Sequence, residues 1–148
     1  MNREEAISTL KAYFQDKADA CDIDTAFLYG SWACGYPKIE SDVDVAVLFN
    51  HEMSEEKIFS SMNTISLELT DILKREVNVL YIDKDLSRPM LHYNAIVKGM
   101  PVFMRDFTRY VDLRLKAISQ MEDFSIFGTK WQSDVVRKRL EGLDRARV

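Results

Sequence analysis

Between residues 28 and 48 the chain reads LYGSWACGYPKIESDVDVAVL, and no other segment constrains the fold as much. Gly30-Ser31 follows an apolar stretch (Ala26, Phe27, Leu28, Tyr29). Ten residues intervene, and then Asp42-Val43-Asp44 opens a second apolar run. Both runs read as strands, since such residues suit a pleated, half-buried surface. Residues two apart in a strand share a face, so Asp42 and Asp44 project together. Aspartate is a poor strand former, and two on one face of a Val/Ala/Leu strand cost stability and require a compensating role. Binding a hard dication is such a role. Mg²⁺ takes oxygen ligands and is usually held by one or two carboxylates plus the phosphates of a substrate. The Gly-Ser step supplies the other half: Gly30 breaks the first strand, and Ser31 stands where a helix begins. Unpaired N–H groups and the positive dipole end suit a phosphate there, and the serine hydroxyl adds a donor. Lys38, in the intervening loop, is a further candidate phosphate contact beside the plainer reading of a solvated lysine.

At 148 residues the chain suits one domain with a proper core. No apolar run approaches the length that spans a bilayer, and the start, MNREEAIS, lacks a signal-peptide core, so no membrane association is expected. Cys21 and Cys34 have neither further partners nor CxxC spacing, which points to the reducing cytoplasm. A net charge of −4 argues against direct nucleic-acid binding. The charge is uneven: residues 1–104 hold 10 Lys/Arg against 17 Asp/Glu, residues 105–148 hold 10 against 7, and the last third is therefore mildly basic.

Periodicity predicts a first helix over 3–20 with Ala6, Ile7, Leu10, Tyr13 and Phe14 inward. Strands follow at 24–29 and 43–49, separated by a tight turn with one helical turn. Ser54, followed by Glu55 and Glu56, caps a helix to about residue 74, with Ile58, Met62, Ile65, Leu69 and Ile72 on one face. A strand over 77–82 precedes a helix capped by Ser87, with Pro89 in its first turn and Gly99 as its stop. A short strand over 101–104 leads to a helix capped by Asp106, with Phe107, Tyr110, Val111, Leu115 and Ile118 along one side to about residue 123. The polar tail beyond carries Trp131 and Val135-Val136, an aromatic anchor of the kind partner-binding segments use. Arg105, Arg109 and Arg114 read as a solvated face or as contacts to a partner's acids or a triphosphate. His51 reads as a turn residue and His92 as a packing or capping residue. The order describes an α/β (α+β) domain with a small mixed β-sheet flanked by helices.

The spacing of Gly30, Ser31, Asp42 and Asp44 resembles the signature of the minimal nucleotidyltransferase family of the DNA polymerase β-like superfamily, Gly-Ser, ten residues, Asp-x-Asp. Ser41 fits its common Ser-Asp-x-Asp form, and the element order matches over residues 5–104. The resemblance implies a nucleotidyltransferase fold, with residues 1–104 as the nucleotidyltransferase domain and 105–148 as a long C-terminal helix and partner-binding tail of the same domain. It implies ATP as substrate, Gly30 and Ser31 on its phosphates, and Mg²⁺ on Asp42 and Asp44. In the family a further acid from a neighbouring strand completes a second metal site. Here that position is Asn78, while Glu76, one step earlier on the same strand face, has the longer reach; both stand as candidate ligands. Asp83 has the opposite parity and is the poorer candidate. Cys34 occupies a position where the family often carries Arg.

The long final helix is similar to members encoded beside HEPN-domain ribonucleases. This implies an antitoxin that transfers AMP to a tyrosine hydroxyl of a HEPN ribonuclease toxin, in a hetero-oligomer with it. Two alternatives remain: an antitoxin acting by occlusion with little catalysis, which Asn78 favours, and a small-molecule nucleotidyltransferase of the aminoglycoside-modifying kind.

Overall fold

In a computed structural model the described residues are 2–34 and 41–125. They form α1 (Arg3–Lys17), β1 (Ile23–Tyr29), α2 (Ser31–Cys34), β2 (Val43–Phe49), α3 (Glu55–Leu73), β3 (Val77–Tyr81), α4 (Pro89–Ile96) and β4 (Met100–Met104). A last helix, α5, follows over residues 107–125. The strands make one mixed sheet in the order β3-β2-β1-β4. β1 runs antiparallel to both β2 and β4, whereas β2 and β3 are parallel, with α3 as their crossover. Antiparallel pairing brings the end of β1 to the start of β2, and parallel pairing brings the start of β3 to the same place. Three of the four strands therefore converge on one corner of the sheet.

Both faces of the sheet are covered, so the central strand β1 is buried along nearly its whole length. α1 and α3 pack on one face through Ala6, Leu10, Phe14, Ile65 and Leu69, against Val43, Val45, Val47 and Val77. α4 and α5 cover part of the other through Ala95, Ile96 and Ala117, against Phe27, Ala46 and Ile82. Helix starts follow capping chemistry: Asn2 accepts from Glu5 N–H, Ser54 from Lys57 N–H, and Asp106 from Thr108 N–H.

Several sequence expectations change. Ile72 is exposed and Leu73 takes the buried place, because the inward face of α3 runs through Ile65, Leu69 and Leu73. Ser87 does not cap α4. Its N–H and Oγ bond to the Asp83 carboxylate, and Arg88 stands at the cap position without a side-chain bond. On α5 the packed side is Tyr110, Leu113 and Ala117, while Phe107 (68% exposed) and Leu115 (59%) face outward. Arg105 and Arg109 are exposed and Arg114 is half-buried, and all three also bond within the chain. Arg105 donates to Ile23 C=O and Asp19, Arg109 to Asp24, and Arg114 to Val97 C=O, which together fasten the β4–α5 segment to the rest of the domain. His92 is buried, with Asp83 Oδ1 3.5 Å from its Nε2, as its packing role predicts.

Candidate active site

The corner where the three strands meet holds the motif residues. β1 ends at Tyr29, the register partner of Asp44. Gly30 then turns the chain with φ = +74°, in the left-handed region that L side chains rarely adopt. A Cβ on Gly30 would lie 2.5 Å from Asp44 Oδ2. Glycine is thus required twice at this position, for the backbone angle and for the approach of the carboxylate. The Gly-Ser corner and the acid pair, ten residues apart in sequence, are direct neighbours.

The corner itself is fastened from three sides. Arg3 donates to the carbonyls of Trp32 and Ala33 at 3.1 and 2.9 Å, satisfying the end of the single turn α2. Trp32, only 2% exposed, donates its indole N–H to Ser41 C=O at 3.2 Å. That bond links the glycine turn to the residue before Asp42. The Arg75 guanidinium lies 5.2 Å over the indole ring. Trp32 is therefore a structural tie between the two halves of the motif. Arg3 was not legible as a contributor, because its partners lie about thirty residues away and its neighbours carry no signal.

Asp44 lies on β2 with Asp42 just before its first residue, and Asn78 on β3 stands in register with Asp44. Its Nδ2 lies 3.3 Å from Asp44 Oδ1 and 3.4 Å from Asp42 Oδ2. Asn78 is thus the β3 residue that touches both aspartates. Glu76 meets β2 through its main chain, accepting from Val43 N–H at 2.9 Å. Asp83 lies past the far end of β3 and is engaged by Ser87 and His92. Lys38, and Trp131 and Val135-Val136 of the tail, lie outside the described residues.

Burial raises the Asp44 carboxyl above its ordinary range; the Asn78 hydrogen bond opposes this, and the Asp42 charge adds to the rise. Burial, then the Asp44 charge, likewise raises the Tyr29 hydroxyl. Two acids held together, one partly desolvated, with a neutral amide between them, form a site with excess negative charge. Hard carboxylate oxygens beside a glycine turn fit Mg²⁺ held jointly with a phosphate. Among the described residues no three Asp, Glu, His or Cys side chains group as a metal site.

The sign of the Asp44 shift gives a stability prediction. At pH values below the carboxylate range the residue is protonated in both folded and unfolded chains and costs nothing. As pH rises, the unfolded chain ionises first, so the folded state loses ground and the penalty is complete at neutral pH. Asp44→Asn should therefore melt higher than the wild type at pH 7, by about 2–4 °C per kcal/mol recovered, with the gain vanishing in acid. Melting curves at pH 7 and below pH 3 check this. A second prediction concerns the turn: Gly30→Ala should displace the Asp44 carboxylate and abolish nucleotide binding, read by calorimetric titration, while the protein remains folded.

A mixed sheet whose strand ends bring a glycine turn against paired aspartates defines the nucleotidyltransferase class of folds. The model for the Polymerase beta nucleotidyltransferase domain matches residues 8–108, and the chain belongs to that family. No curated protein matches the sequence. Among solved structures, the chain is similar to one in a crystal structure of a toxin–antitoxin with AMP-PNP, at 18% identity and a TM-score of 0.66, over 92% of this chain and 99% of that one. It is similar to a chain of tri-AMPylated Shewanella oneidensis HEPN toxin in complex with MNT antitoxin, at 14% identity and a TM-score of 0.63, over 88% and 98%. A chain of the MntA–HepT toxin–antitoxin structure matches at 14% identity and a TM-score of 0.63, over 90% and 98%.

Proposed function

We propose that this nucleotidyltransferase is an antitoxin that uses ATP and Mg²⁺ to transfer AMP to a tyrosine hydroxyl of a HEPN-domain ribonuclease in the cytoplasm, and forms a hetero-oligomer with it. The observation that carries the reading is the acid pair bridged by Asn78 and set directly against Gly30. Likeness to toxin–antitoxin complexes over nearly the whole length of both chains supports the partner, and AMP-PNP in one and AMPylated toxin in another support the chemistry.

In the proposed reaction the acceptor oxygen attacks the α-phosphorus of ATP. The bond from that phosphorus to the β-phosphate bridging oxygen breaks, pyrophosphate leaves, and the hydroxyl proton passes to solvent. The N–H groups of the Gly30-Ser31 corner and the Ser31 hydroxyl hold the β- and γ-phosphates, with Lys38 as a further contact. Asp42 and Asp44 hold Mg²⁺, which when bound neutralises triphosphate charge and lowers the pKa of the attacking hydroxyl. The Asn78 amide separates the two carboxylates and carries a neutral oxygen on its other arm. Glu76, next to it on the strand, is the remaining candidate ligand. With excess negative charge at the corner before nucleotide arrives, ATP and Mg²⁺ should each strengthen binding of the other.

Co-expression with a HEPN partner and intact-mass measurement of that partner test the proposal. A gain of one or more AMP units is the expected result. An unmodified partner held in a stable, inactive complex would instead establish neutralisation by occlusion, the reading that the neutral Asn78 favours.

A further inference from the structure

Tyr29 belongs to the acid corner, yet the proposed reaction gives its side chain no part. The β1–β2 register sets it directly opposite Asp44, and the β2–β3 register sets Asn78 on the other side of Asp44. The three residues form one row across three strands. They share the face that α4 and α5 cover, since Phe27, Ala46 and Leu80 of the same parity pack into that core, whereas Val43, Val45, Val77 and Val79 pack into the other. Directly opposed side chains of an antiparallel pair start about 5 Å apart. The Tyr29 ring therefore flanks the carboxylate that Asn78 touches from β3. The next row inward, Phe27, Ala46 and Leu80, is apolar, and the Tyr29 ring packs on the core it belongs to. Phenylalanine would serve that packing equally well, so the hydroxyl is the part that packing leaves unexplained.

Tyr13, the buried tyrosine of α1, donates its hydroxyl to Glu68 at 2.7 Å. The Tyr29 hydroxyl makes no hydrogen bond among the described residues. Nor is it sealed in: among those residues the buried, unpartnered side-chain atoms are Asp24 Oδ1 and His92 Nδ1. It is thus a half-buried donor, open to a ligand and placed beside Asp44. Burial, and then the Asp44 charge, keep it protonated through neutral pH. With the carboxylates committed to a dication, the acceptors left for it are the phosphate oxygens of the ligand. Gly30 follows Tyr29 directly, so the turn and the ring border the same space. We infer that Tyr29 is a phosphate-binding residue, its hydroxyl donating to a non-bridging oxygen of the phosphates lodged between the Gly30 turn and Asp44. This rests on the nucleotide reading above and adds a residue to it. A hydrogen bond to a charged acceptor is roughly twice as strong as one between neutral groups. The apolar row beneath the ring holds the donor in place before any ligand arrives.

Calorimetric titration of the full chain and of Tyr29→Phe with three probes tests this: Mg²⁺ alone, Mg²⁺ with pyrophosphate, and Mg²⁺ with AMP-PNP. The variant keeps the ring, so its melting temperature and its affinity for Mg²⁺ alone should match the wild type. Its affinities for pyrophosphate and AMP-PNP should fall together by about 10- to 100-fold, the range for losing a hydrogen bond to a charged group. Unchanged affinity for both would overturn the inference and leave the nucleotide reading standing. A loss confined to AMP-PNP would place the hydroxyl on the sugar or base. Weaker binding of Mg²⁺ alone, or a lower melting temperature, would make it a support for Asp44 or for the fold. Each of those results overturns the phosphate contact. A wild-type chain that binds neither pyrophosphate nor AMP-PNP would overturn the nucleotide reading itself, and this inference with it.

Discussion

Replacing Asp42 and Asp44 together by alanine is expected to reduce AMP transfer by at least about a thousandfold, the scale seen when charge-stabilising groups of phosphoryl transfer are lost. The loss should fall on the reaction and leave the fold intact. The two carboxylates contribute no packing to either core, and the pair is a net electrostatic liability to the folded chain, as the raised Asp44 shows. The variant should consequently melt at or above the wild-type temperature while the partner's mass stays unmodified. Persistence of AMP transfer in the double variant would place the chemistry elsewhere. Retention of the inactive complex with the partner would separate binding from modification.

Gly99→Ala is expected to produce the largest loss of stability of any single methyl addition at a described glycine. Its φ is not in the left-handed region, so backbone freedom is not the reason for glycine here. A Cβ would sit 2.1 Å from Ala95 C=O oxygen and 2.9 Å from that of Leu28. Both obstacles are main-chain atoms in a helix and a central strand, and neither can swing away. At Gly30, by contrast, the obstacle is a carboxylate that can rotate. Relief at Gly99 requires α4 or β4 to shift from β1, at about 3 kcal/mol or more, or roughly 6–12 °C in melting temperature. Thermal denaturation checks this, and a melting point within two degrees of wild type would contradict the packing of α4 on β1 described above.

The main elements were legible because their signals are local. The strand at 43–49 needs only its apolar run and its leading Asp-x-Asp, and α3 is marked by Ser54 and two acids. Errors arose where the deciding contact lies far off in sequence. Ser87 has good capping chemistry, yet Asp83 captures it through a turn. Phe107 and Leu115 sit at helical spacing, but α4 meets the neighbouring stripe. The bonds of arginines 105, 109 and 114 could not be read at all, because the carbonyls and acids that meet them, from Ile23, Asp19, Asp24 and Val97, belong to distant segments.

The sequence by itself determined the ingredients of the corner: a glycine at a strand end, a hydroxyl after it, and two carboxylates on one face of the next strand. Those follow from residue type and a period of two, which need no knowledge of neighbours. Only the tertiary structure decided that Asn78, in register with Asp44, is the β3 residue touching both acids, that Trp32 ties the motif's halves, and that Arg3 fastens the turn. These are relations across strands and between chain ends. Pairing register sets them, and it emerges only when the whole core is packed.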